Sequence, residues 1–378
     1  MKIGIITLPF NANYGGILQA YALQSVLRKM GHDAVTINRL TRGVPFHMKM
    51  LSILRRLGLK LLGKSNVVVR NWPTSGEESI LNQHTNRFIN ENIRSTHVFK
   101  SENDFKTLGK YGFEAFVVGS DQVWRPKYSP DLKNHFLGFI TDSEKVKRVS
   151  YAASFGVDNW EFNDTQTADC SILAKKFDAI SVREDTAVKL CNEKLGVDAI
   201  QVIDPTLLIS KEEYVSLVEK DGIAKCEGTL LVYVLDNTES KQKMIDKIGE
   251  ELKLKQVSIM PEMLFREGGP QNLKKCIFPP VTAWIRGFMD AEYVVTDSFH
   301  GTVFSIIFNK PFLAIGNKKR GITRFSSLVN MFGLNDRLIL SEVELKLDRL
   351  KTPIDFGNVN KILKQKQQQA TEFLEKNL

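Results

Sequence analysis

Apolar positions along the chain follow two alternating patterns, short continuous runs and longer stretches with helical spacing. The runs at 1–8 and 33–38 are typical of buried parallel strands. Between them, residues 17–30 carry apolar side chains at helical spacing, and Gly31 follows as the expected helix stop. A strand, a helix and a second strand in this order predict the repeating unit of an α/β fold.

The same alternation continues through the chain and is interrupted once. Strands are predicted at 1–8, 33–38, 113–118, 146–154, 177–182 and 199–203, and then at 229–235, 256–259, 293–296 and 311–315. A polar stretch lies between the two sets. We therefore predict an α/β protein with two Rossmann-like domains that face each other across a cleft. The predicted bounds are an N-terminal domain at 1–208, a connection at 209–228, a C-terminal domain at 229–352 and a C-terminal helix at 353–378 that returns to the first domain.

Length and composition agree with this division. A chain of 378 residues is too long for one ordinary core. Its 43% hydrophobic and 25% charged residues are typical of a soluble globular protein. No run approaches the roughly 18 apolar residues of a membrane span, and the apolar start is too short for a secretion signal. We expect a cytoplasmic protein whose four scattered cysteines are reduced structural thiols.

The net charge of +9 is concentrated in one segment. Residues 34–76 contain no Asp or Glu, but they contain Arg39, Arg42, Lys49, Arg55, Arg56, Lys60, Lys64 and Arg70. Charge confined to one segment argues against a general nucleic-acid binder, and we expect no nucleic-acid partner.

A basic amphipathic helix is predicted within this segment, at 47–64. Its apolar face comprises Met50, Leu51, Leu54, Leu57, Leu61 and Leu62, and its other face comprises Lys49, Ser52, Arg56, Lys60 and Gly63. Such a helix suits peripheral contact with an anionic membrane. The alternative is an ordinary helix packed on the core with a solvated basic face.

Candidate chemistry is densest in the second domain, at residues 291–325. The strand at 293–296 ends in a turn that contains Asp297, Ser298, His300 and Gly301, and a helix is predicted from about residue 302 to 308. Ligands of α/β units bind at the carboxyl ends of strands, and a helix N-terminus favours an anion. The next strand is followed by four cations, Lys318, Lys319, Arg320 and Arg324. The arrangement predicts an anion site with a histidine as proton donor, although a histidine in such a turn can also be a cap or a core hydrogen-bonding group.

Polar residues also follow strands of the first domain. The loop at 9–16 ends in Asn13, Tyr14, Gly15 and Gly16, which predicts either a binding loop or a tight turn. Asp121, Gln122 and Trp124 follow the strand at 113–118, and Asp121 is a candidate base or a cap of the turn. Arg183 follows the strand at 177–182, where it contacts a ligand or forms a salt bridge in the first helical turn.

Several stretches together resemble the polysaccharide pyruvyl transferase family. They are NYGGILQAYALQ near the start, VGSDQVW at 118–124, YAASFG at 151–156, SVRED at 181–185, DPTLL at 204–208 and VVTDSFHGTVFSIIFNKPF at 294–312. The set spans nearly the whole chain in order. Within the family the chain is similar to the bacterial branch associated with capsule and exopolysaccharide clusters.

This resemblance implies a GT-B-like fold and a reaction that requires no cofactor and generally no metal. Phosphoenolpyruvate would donate its pyruvyl group to two hydroxyls of a sugar, commonly in a lipid-linked repeat unit, and a cyclic ketal and phosphate would form. The family often has an arginine two residues before the histidine. Ser298 occupies that position here, so Lys318, Arg320 or Arg324 would have to bind the donor carboxylate.

The residues suggest a division of roles for this chemistry. His300 would protonate the donor, because histidine has an ordinary pKa of about 6.5, and Asp121 or Asp297 would be the base. The predicted donor site comprises Arg183, Ser298, Gly301, Lys318, Lys319, Arg320 and Arg324, and the predicted acceptor site comprises Asn13, Tyr14, Gly15, Gly16, Gln122 and Trp124.

Two other functions remain open from the sequence. One is a GT-B glycosyltransferase that uses a nucleotide sugar, although no acidic residue for a ribose can be assigned. The other is a non-catalytic, membrane-associated scaffold in polysaccharide assembly, which would bind membranes through residues 47–64.

Overall fold

The computed structural model describes residues 1–40, 45–64, 67–129, 131–141, 145–316 and 321–378. Within them the chain forms two parallel β-sheets. The first has the order β2-β1-β3-β4-β5-β6, with β1 Lys2–Ile6, β2 Asp33–Thr36, β3 Ala115–Val118, β4 Lys147–Ala153, β5 Ala179–Val182 and β6 Ile200–Gln201. The second has the order β11-β10-β9-β7-β8, with β7 Leu230–Tyr233, β8 Gln256–Val257, β9 Tyr293–Thr296, β10 Phe312–Ile315 and β11 Leu338–Ile339. The predicted pair of Rossmann-like domains is confirmed.

Helices connect the strands. They are α1 Tyr14–Lys29, α2 Phe46–Leu61, α3 Ser75–Leu81, α4 Gln83–Asn92, α5 Glu102–Phe105, α6 Leu132–His135, α7 Asp164–Ala174, α8 Asp185–Leu190, α9 Lys211–Lys220, α10 Glu239–Leu252, α11 Phe265–Gly268, α12 Val281–Asp290, α13 Phe299–Ile307, α14 Thr323–Met331, α15 Leu347–Leu350 and α16 Phe356–Asn377. Among the described helices, none is long and apolar enough to cross a bilayer.

Two helices begin earlier than the spacing of apolar residues predicts, and both starts lie at the candidate site. Helix α1 begins at Tyr14, so the two glycines occupy its first turn and not the preceding loop. Helix α13 begins at Phe299 because Ser298 caps it: the Ser298 Oγ accepts a hydrogen bond from the Gly301 N–H. His300 therefore lies inside the first turn of a helix.

The two domains share one continuous hydrophobic core. Tyr14 of α1 stacks on Trp284 of α12, with ring centroids 5.6 Å apart, and its hydroxyl donates to the Pro279 carbonyl. Tyr214 of α9, in the predicted connection, packs edge-on against Phe304 of α13. Apolar contact from both sides of the cleft fixes the relative orientation of the sheets.

The C-terminal helix returns to the first domain, as predicted. Leu374 of α16 is fully buried, and the Gln367 side chain donates to the Leu207 carbonyl at 2.7 Å. At its end, Lys147 of β4 donates to the carbonyl of Leu378. The last helix therefore ties the end of the chain to the first domain, at the start of β4.

Candidate functional site

A cleft of about 520 Å³ lies where the carboxyl ends of the two sheets face each other. Its walls include seven residues that the sequence predicts for the site, namely Asn13, Asp121, Gln122, Asp297, Ser298, His300 and Arg324. The strands β3 and β9 end at Val118 and Thr296, directly before these polar residues. Parallel strands of both domains thus direct their chain ends to one place, which is the usual ligand position in open α/β folds.

His300 contacts Gly15 across the domain boundary. A β-carbon built on Gly15 would lie 2.0 Å from His300 Nδ1 and 2.2 Å from its Cγ, so only glycine leaves room for the imidazole. Because both residues are in first turns, the N-termini of α1 and α13 meet at this contact. Two helix N-termini place positive partial charge at the same point, which favours a bound anion.

Asp204, at the end of the first domain's sheet, faces the same imidazole. Its Oδ2 lies 3.7 Å from His300 Nε2, an ion-pair distance, and no polar atom of the described residues hydrogen bonds to that nitrogen. The carboxylate accepts hydrogen bonds from Arg183 Nη1 at 2.8 Å, from Ser120 Oγ at 3.0 Å, and from the Thr206 N–H and hydroxyl at 3.0 and 2.7 Å. Asp204 and His300 form an aspartate–histidine pair with one member in each domain, which favours a proton on Nε2.

Burial and charge act in opposite directions on this carboxyl group. Asp204 is buried, and burial alone would raise its pKa. His300, Arg183 and the Thr206 hydroxyl outweigh that effect and hold the pKa of Asp204 well below its ordinary value. Asp204 is therefore ionised at neutral pH.

Arg183 lies behind the cleft, which corrects its predicted place in the donor site. Its guanidinium is buried, bonded to Asp204, and 3.6 Å from an Asp121 carboxylate oxygen. Burial would lower the pKa of Arg183, but the surrounding carboxylates, Asp204 first, raise it. The arginine is an ion-paired support for the first-domain wall. The salt bridge predicted at the start of the helix is present, at 4.0 Å to Glu184, and Asp204 and Asp121 are further partners.

Among the arginines that the structure describes, Arg324 lines the cleft. It lies in the first turn of α14, and its guanidinium carbon is 5.7 Å from the centre of the Phe299 ring. The Arg183 guanidinium contacts the same ring at 4.4 Å. Burial and the charge of Arg183 together lower the pKa of Arg324 to about 10, and Asp121 and Glu184 offset this only in part. A cation in such surroundings gains free energy when an anion binds beside it.

Asp297 is held by donors of its own domain, which argues against its predicted role as a base. One carboxylate oxygen accepts from the Leu235 N–H at 2.6 Å. The other accepts from the Asp236 N–H at 3.1 Å and from Lys241 Nζ at 2.6 Å. With three donors, one of them charged, this carboxylate fixes the loop after β7.

Gly301 is placed by packing and by the cap of α13. A β-carbon on Gly301 would lie 2.2 Å from the Thr296 hydroxyl, and its N–H already donates to Ser298 Oγ. Gly301 therefore offers no free N–H to a ligand, in contrast to its predicted role in the donor site.

Tyr14 and Trp124 lie in the core and do not line the cleft. Trp124 is fully buried, stacks on Phe136 at 4.7 Å and donates to the His135 carbonyl. Tyr14 is committed to the domain interface described above. Both rings are used for packing, so the structure does not bring them to the cleft where an acceptor contact was predicted. Gly16 lies in the first turn of α1 beside the Asn13 side chain.

Asp121 is held in an uncommon backbone conformation at the cleft wall. Its φ is +71°, in the left-handed region, where Asp is tolerated better than most residues. The Val123 and Ser154 N–H groups both donate to its carbonyl, at 2.7 and 3.1 Å. Strain of this kind is concentrated at functional sites, and here it presents the carboxylate between Arg183 and the cleft.

Three predicted donor-site cations, Lys318, Lys319 and Arg320, lie outside the described residues. Other residues of the site were missed. Asp204 follows a predicted strand, as Asp121 does, so its place in the sequence could have identified it as a site residue. Lys127 and Tyr128 also line the cleft, but no sequence pattern pointed to them. Among the described residues, no group of three or more His, Cys, Asp or Glu could hold a metal ion.

The contact between Gly15 and His300 can be tested by stability. We expect Gly15→Ala to lower the free energy of unfolding by about 1–3 kcal/mol, the usual cost of overpacking, because the new methyl group must displace the imidazole. Urea unfolding would measure the change. Gly16→Ala is the matched control in the same helical turn, since its β-carbon would come no closer than 3.3 Å to its neighbour. Equal stability of the two variants would contradict the contact.

The buried Asp204 carboxylate should leave a signature in the acid range. Its folded-state pKa is below the ordinary value of about 3.9, so it stabilises the folded protein above that pH, and the contribution is lost as the pH falls below about 4. We expect Asp204→Asn to be less stable at pH 7 by about 3–5 kcal/mol, the cost of breaking a buried ion pair. Its free energy of unfolding should also fall less steeply with acid than that of the wild type.

The control for that experiment is Asp198→Asn, which changes an exposed acid beside β6. It should retain wild-type stability at pH 7. A wild-type acid dependence in Asp204→Asn would show that Asp204 is not the titrating group.

Comparison with solved structures found similar chains at low sequence identity. A UDP-N-acetylglucosamine 2-epimerase from Rickettsia bellii is similar with a TM-score of 0.44 and 10% identity, over 100% of this chain and 99% of that one. An Arabidopsis thaliana UGT complexed with UDP-L-rhamnose gives 0.48 and 10%, over 98% and 97%. The UDP-GlcNAc 2-epimerase of Methanocaldococcus jannaschii gives 0.47 and 12%, over 96% and 92%.

No curated protein matches the sequence. The family model described as polysaccharide pyruvyl transferase matches residues 13–319, from the start of α1 to beyond β10. That range contains His300, Gly15, Asp204 and Asp121. The chain belongs to the polysaccharide pyruvyl transferase family.

Proposed function

We propose that the protein transfers the pyruvyl group of phosphoenolpyruvate to two hydroxyls of a sugar in a bacterial surface polysaccharide precursor. A cyclic ketal forms and phosphate is released. Membership in the family supports the reaction class. The observation that carries the proposal is the meeting of two helix N-termini and Arg324 around His300, in a cleft large enough for a small trianionic donor and a sugar.

The donor binds on the second-domain side. Phosphoenolpyruvate carries a phosphate and a carboxylate close together, and both need positive charge. Arg324 supplies a guanidinium at the cleft wall, and Lys127 adds an exposed cation from the first domain. The first turns of α1 and α13 complete the positive surface. Arg324 thereby takes the carboxylate-binding role that the residue at position 298 cannot fill.

His300 is the acid. The acid is the imidazolium form, which carries a proton on each nitrogen; because the Nε2 proton faces Asp204, the Nδ1 proton is the one transferred. That proton forms a C–H bond at the donor methylene, the double-bond electrons supply the bond, and the neighbouring carbon becomes electrophilic. Asp204 does not touch the donor, and it acts as a positioning residue by holding the imidazole and its proton.

The acceptor hydroxyl then attacks the electrophilic carbon and loses its proton to a base. Asp121 takes this role because it lines the cleft, whereas the Asp297 carboxylate is occupied by three donors. The carbon–oxygen bond to phosphate breaks, and phosphate leaves with the electron pair. The second hydroxyl adds to the same carbon and loses its proton to His300 Nδ1, which the first step left unprotonated, so that the ketal closes and the acid is regenerated.

The sugar lies on the first-domain side, against Asn13 and Gln122. Both amides line the cleft and provide donors and acceptors for hydroxyl groups. Gly15 and Gly16 shape this wall through the first turn of α1. We place the reaction in the cytoplasm, at the inner face of the membrane where a lipid-linked acceptor would be presented.

The test is acceptor-dependent phosphate release from phosphoenolpyruvate. Galactose-, mannose- and hexosamine-terminated acceptors, lipid-linked or aryl-linked, are incubated with the full-length protein and the donor. We expect one class of acceptor to release phosphate and to gain about 70 mass units, which is pyruvate minus water. No release with any acceptor, together with thermal stabilisation by a nucleotide sugar, would overturn the proposal in favour of a glycosyltransferase.

The role of His300 is tested in the same assay with His300→Gln. Turnover should fall by about 10²–10⁴, the usual contribution of a general acid, while the KM for phosphoenolpyruvate changes little because Arg324 remains. The control is His84→Gln, which changes a histidine of α4 that lines a different pocket together with Arg87. This variant should retain full turnover. Undiminished turnover in His300→Gln would remove this histidine from the mechanism.

A further inference from the structure

Helix α2 exposes the apolar face that a helix of a globular protein normally buries. Leu51, Leu54 and Leu61 are 64, 62 and 89% exposed, and Met50 and Leu57 are exposed as well. At 3.6 residues per turn these five side chains form one stripe along the helix. The alternative raised by the sequence, an apolar face packed on the core, is therefore wrong.

The polar side of α2 attaches it to the protein. Arg56 Nη1 donates to the Val68 carbonyl at 2.8 Å, and Ser52 Oγ donates to the Asn71 side chain at 3.4 Å. Lys49 lies over the Trp72 ring at 5.9 Å. These contacts along the polar side fix the rotation of the helix about its axis. The apolar stripe on the opposite side is therefore exposed to solvent.

Cations border the exposed stripe. At helical spacing Arg55 falls on one side of it and Lys60 on the other, and Lys64 follows the helix end. All three are exposed, and none forms an ion pair with an acid among the residues that the structure describes. Glu267 and Arg266 line a groove beside α2 that Arg55 and Arg56 also line, so Arg55 lies at the border between that groove and the exposed stripe. The exposed side of α2 therefore combines apolar side chains with the positive charges of Lys60 and Lys64, and Arg55 borders it.

We propose that α2 lies in the interface of an anionic phospholipid bilayer, with the leucine stripe among the acyl chains and Arg55, Lys60 and Lys64 at the headgroups. The combination of an apolar face with flanking cations is the signature of an interfacial helix. A second copy of the chain is a poorer partner, because two such stripes would bring two sets of cations together in a segment without an acid. The proposal does not depend on the proposed reaction.

The test is flotation of the full-length protein with phosphatidylglycerol or phosphatidylcholine vesicles. We expect binding to phosphatidylglycerol that weakens with salt, and little binding to phosphatidylcholine. Each Lys or Arg near an anionic surface contributes about fivefold to partitioning, so Arg55→Gln with Lys60→Gln should weaken binding by about 25-fold. Leu54→Asp with Leu61→Asp should abolish it, and because both side chains are exposed, the fold should be retained.

Matched controls carry the same changes elsewhere. Lys361→Gln with Lys364→Gln removes two exposed cations from α16, and Val343→Asp changes a side chain that is 93% exposed. Both should bind phosphatidylglycerol as the wild type does. The proposal fails if the wild type does not float with phosphatidylglycerol or if the controls lose binding equally. A dimer that the Leu54→Asp, Leu61→Asp variant converts to monomer, without any effect on vesicles, would identify the stripe as a contact between copies.

Discussion

The site depends on one buried carboxylate. Asp204 is removed from water, so its charge must be balanced by protein groups, and Arg183, Ser120 and Thr206 supply four hydrogen bonds. These partners come from different strand ends of the first domain, which therefore meet at a fixed geometry. His300 then completes the arrangement from the second domain. The Asp204 charge thereby stabilises the first-domain wall and also positions the His300 imidazole of the second domain.

The closeness of the domains is made possible by glycines. Gly15 leaves the space that the His300 ring occupies. At a second point, a β-carbon on Gly321 would lie 1.7 Å from the Gly156 carbonyl oxygen, and Gly321 also has φ +95°, in the left-handed region. Side chains at these positions would separate the walls and enlarge the cleft. Small residues and a shared apolar core thus act together to hold the two sheets close, which leaves a cleft of about 520 Å³ between them.

Both walls of the cleft carry charges of both signs. In the first domain Arg183 pairs with Asp204 and Asp121, and Lys127 lines the cleft; the second domain contributes Arg324, the start of α13 and the Asp297 carboxylate. An anion beside Arg324 would relieve the repulsion between Arg324 and Arg183, which both contact Phe299. In the proposed reaction the acid, His300, comes from the second domain and the base, Asp121, from the first. Helix α2 adds a separate feature, because its contacts lie away from this cleft.

The sequence by itself determined the class of fold and the edge where the site lies. Apolar runs specify buried parallel strands, and polar residues directly after them must meet at one sheet edge, which is why Asp121, Ser298 and His300 could be predicted. Helix α2 and the returning C-terminal helix were predicted for the same reason, since helical periodicity is local.

Only the tertiary structure decided which groups the polar residues after the strands contact. Arg183, Asp297 and Asp204 all follow strands, and the sequence cannot show which is saturated by donors and which faces the cleft, because the donors are distant in the chain. The same holds for the glycine beside the histidine and for the direction in which α2 turns its leucines. Hydrophobic periodicity determines that a helix has an apolar face. Long-range contacts determine whether that face packs on the core or is exposed.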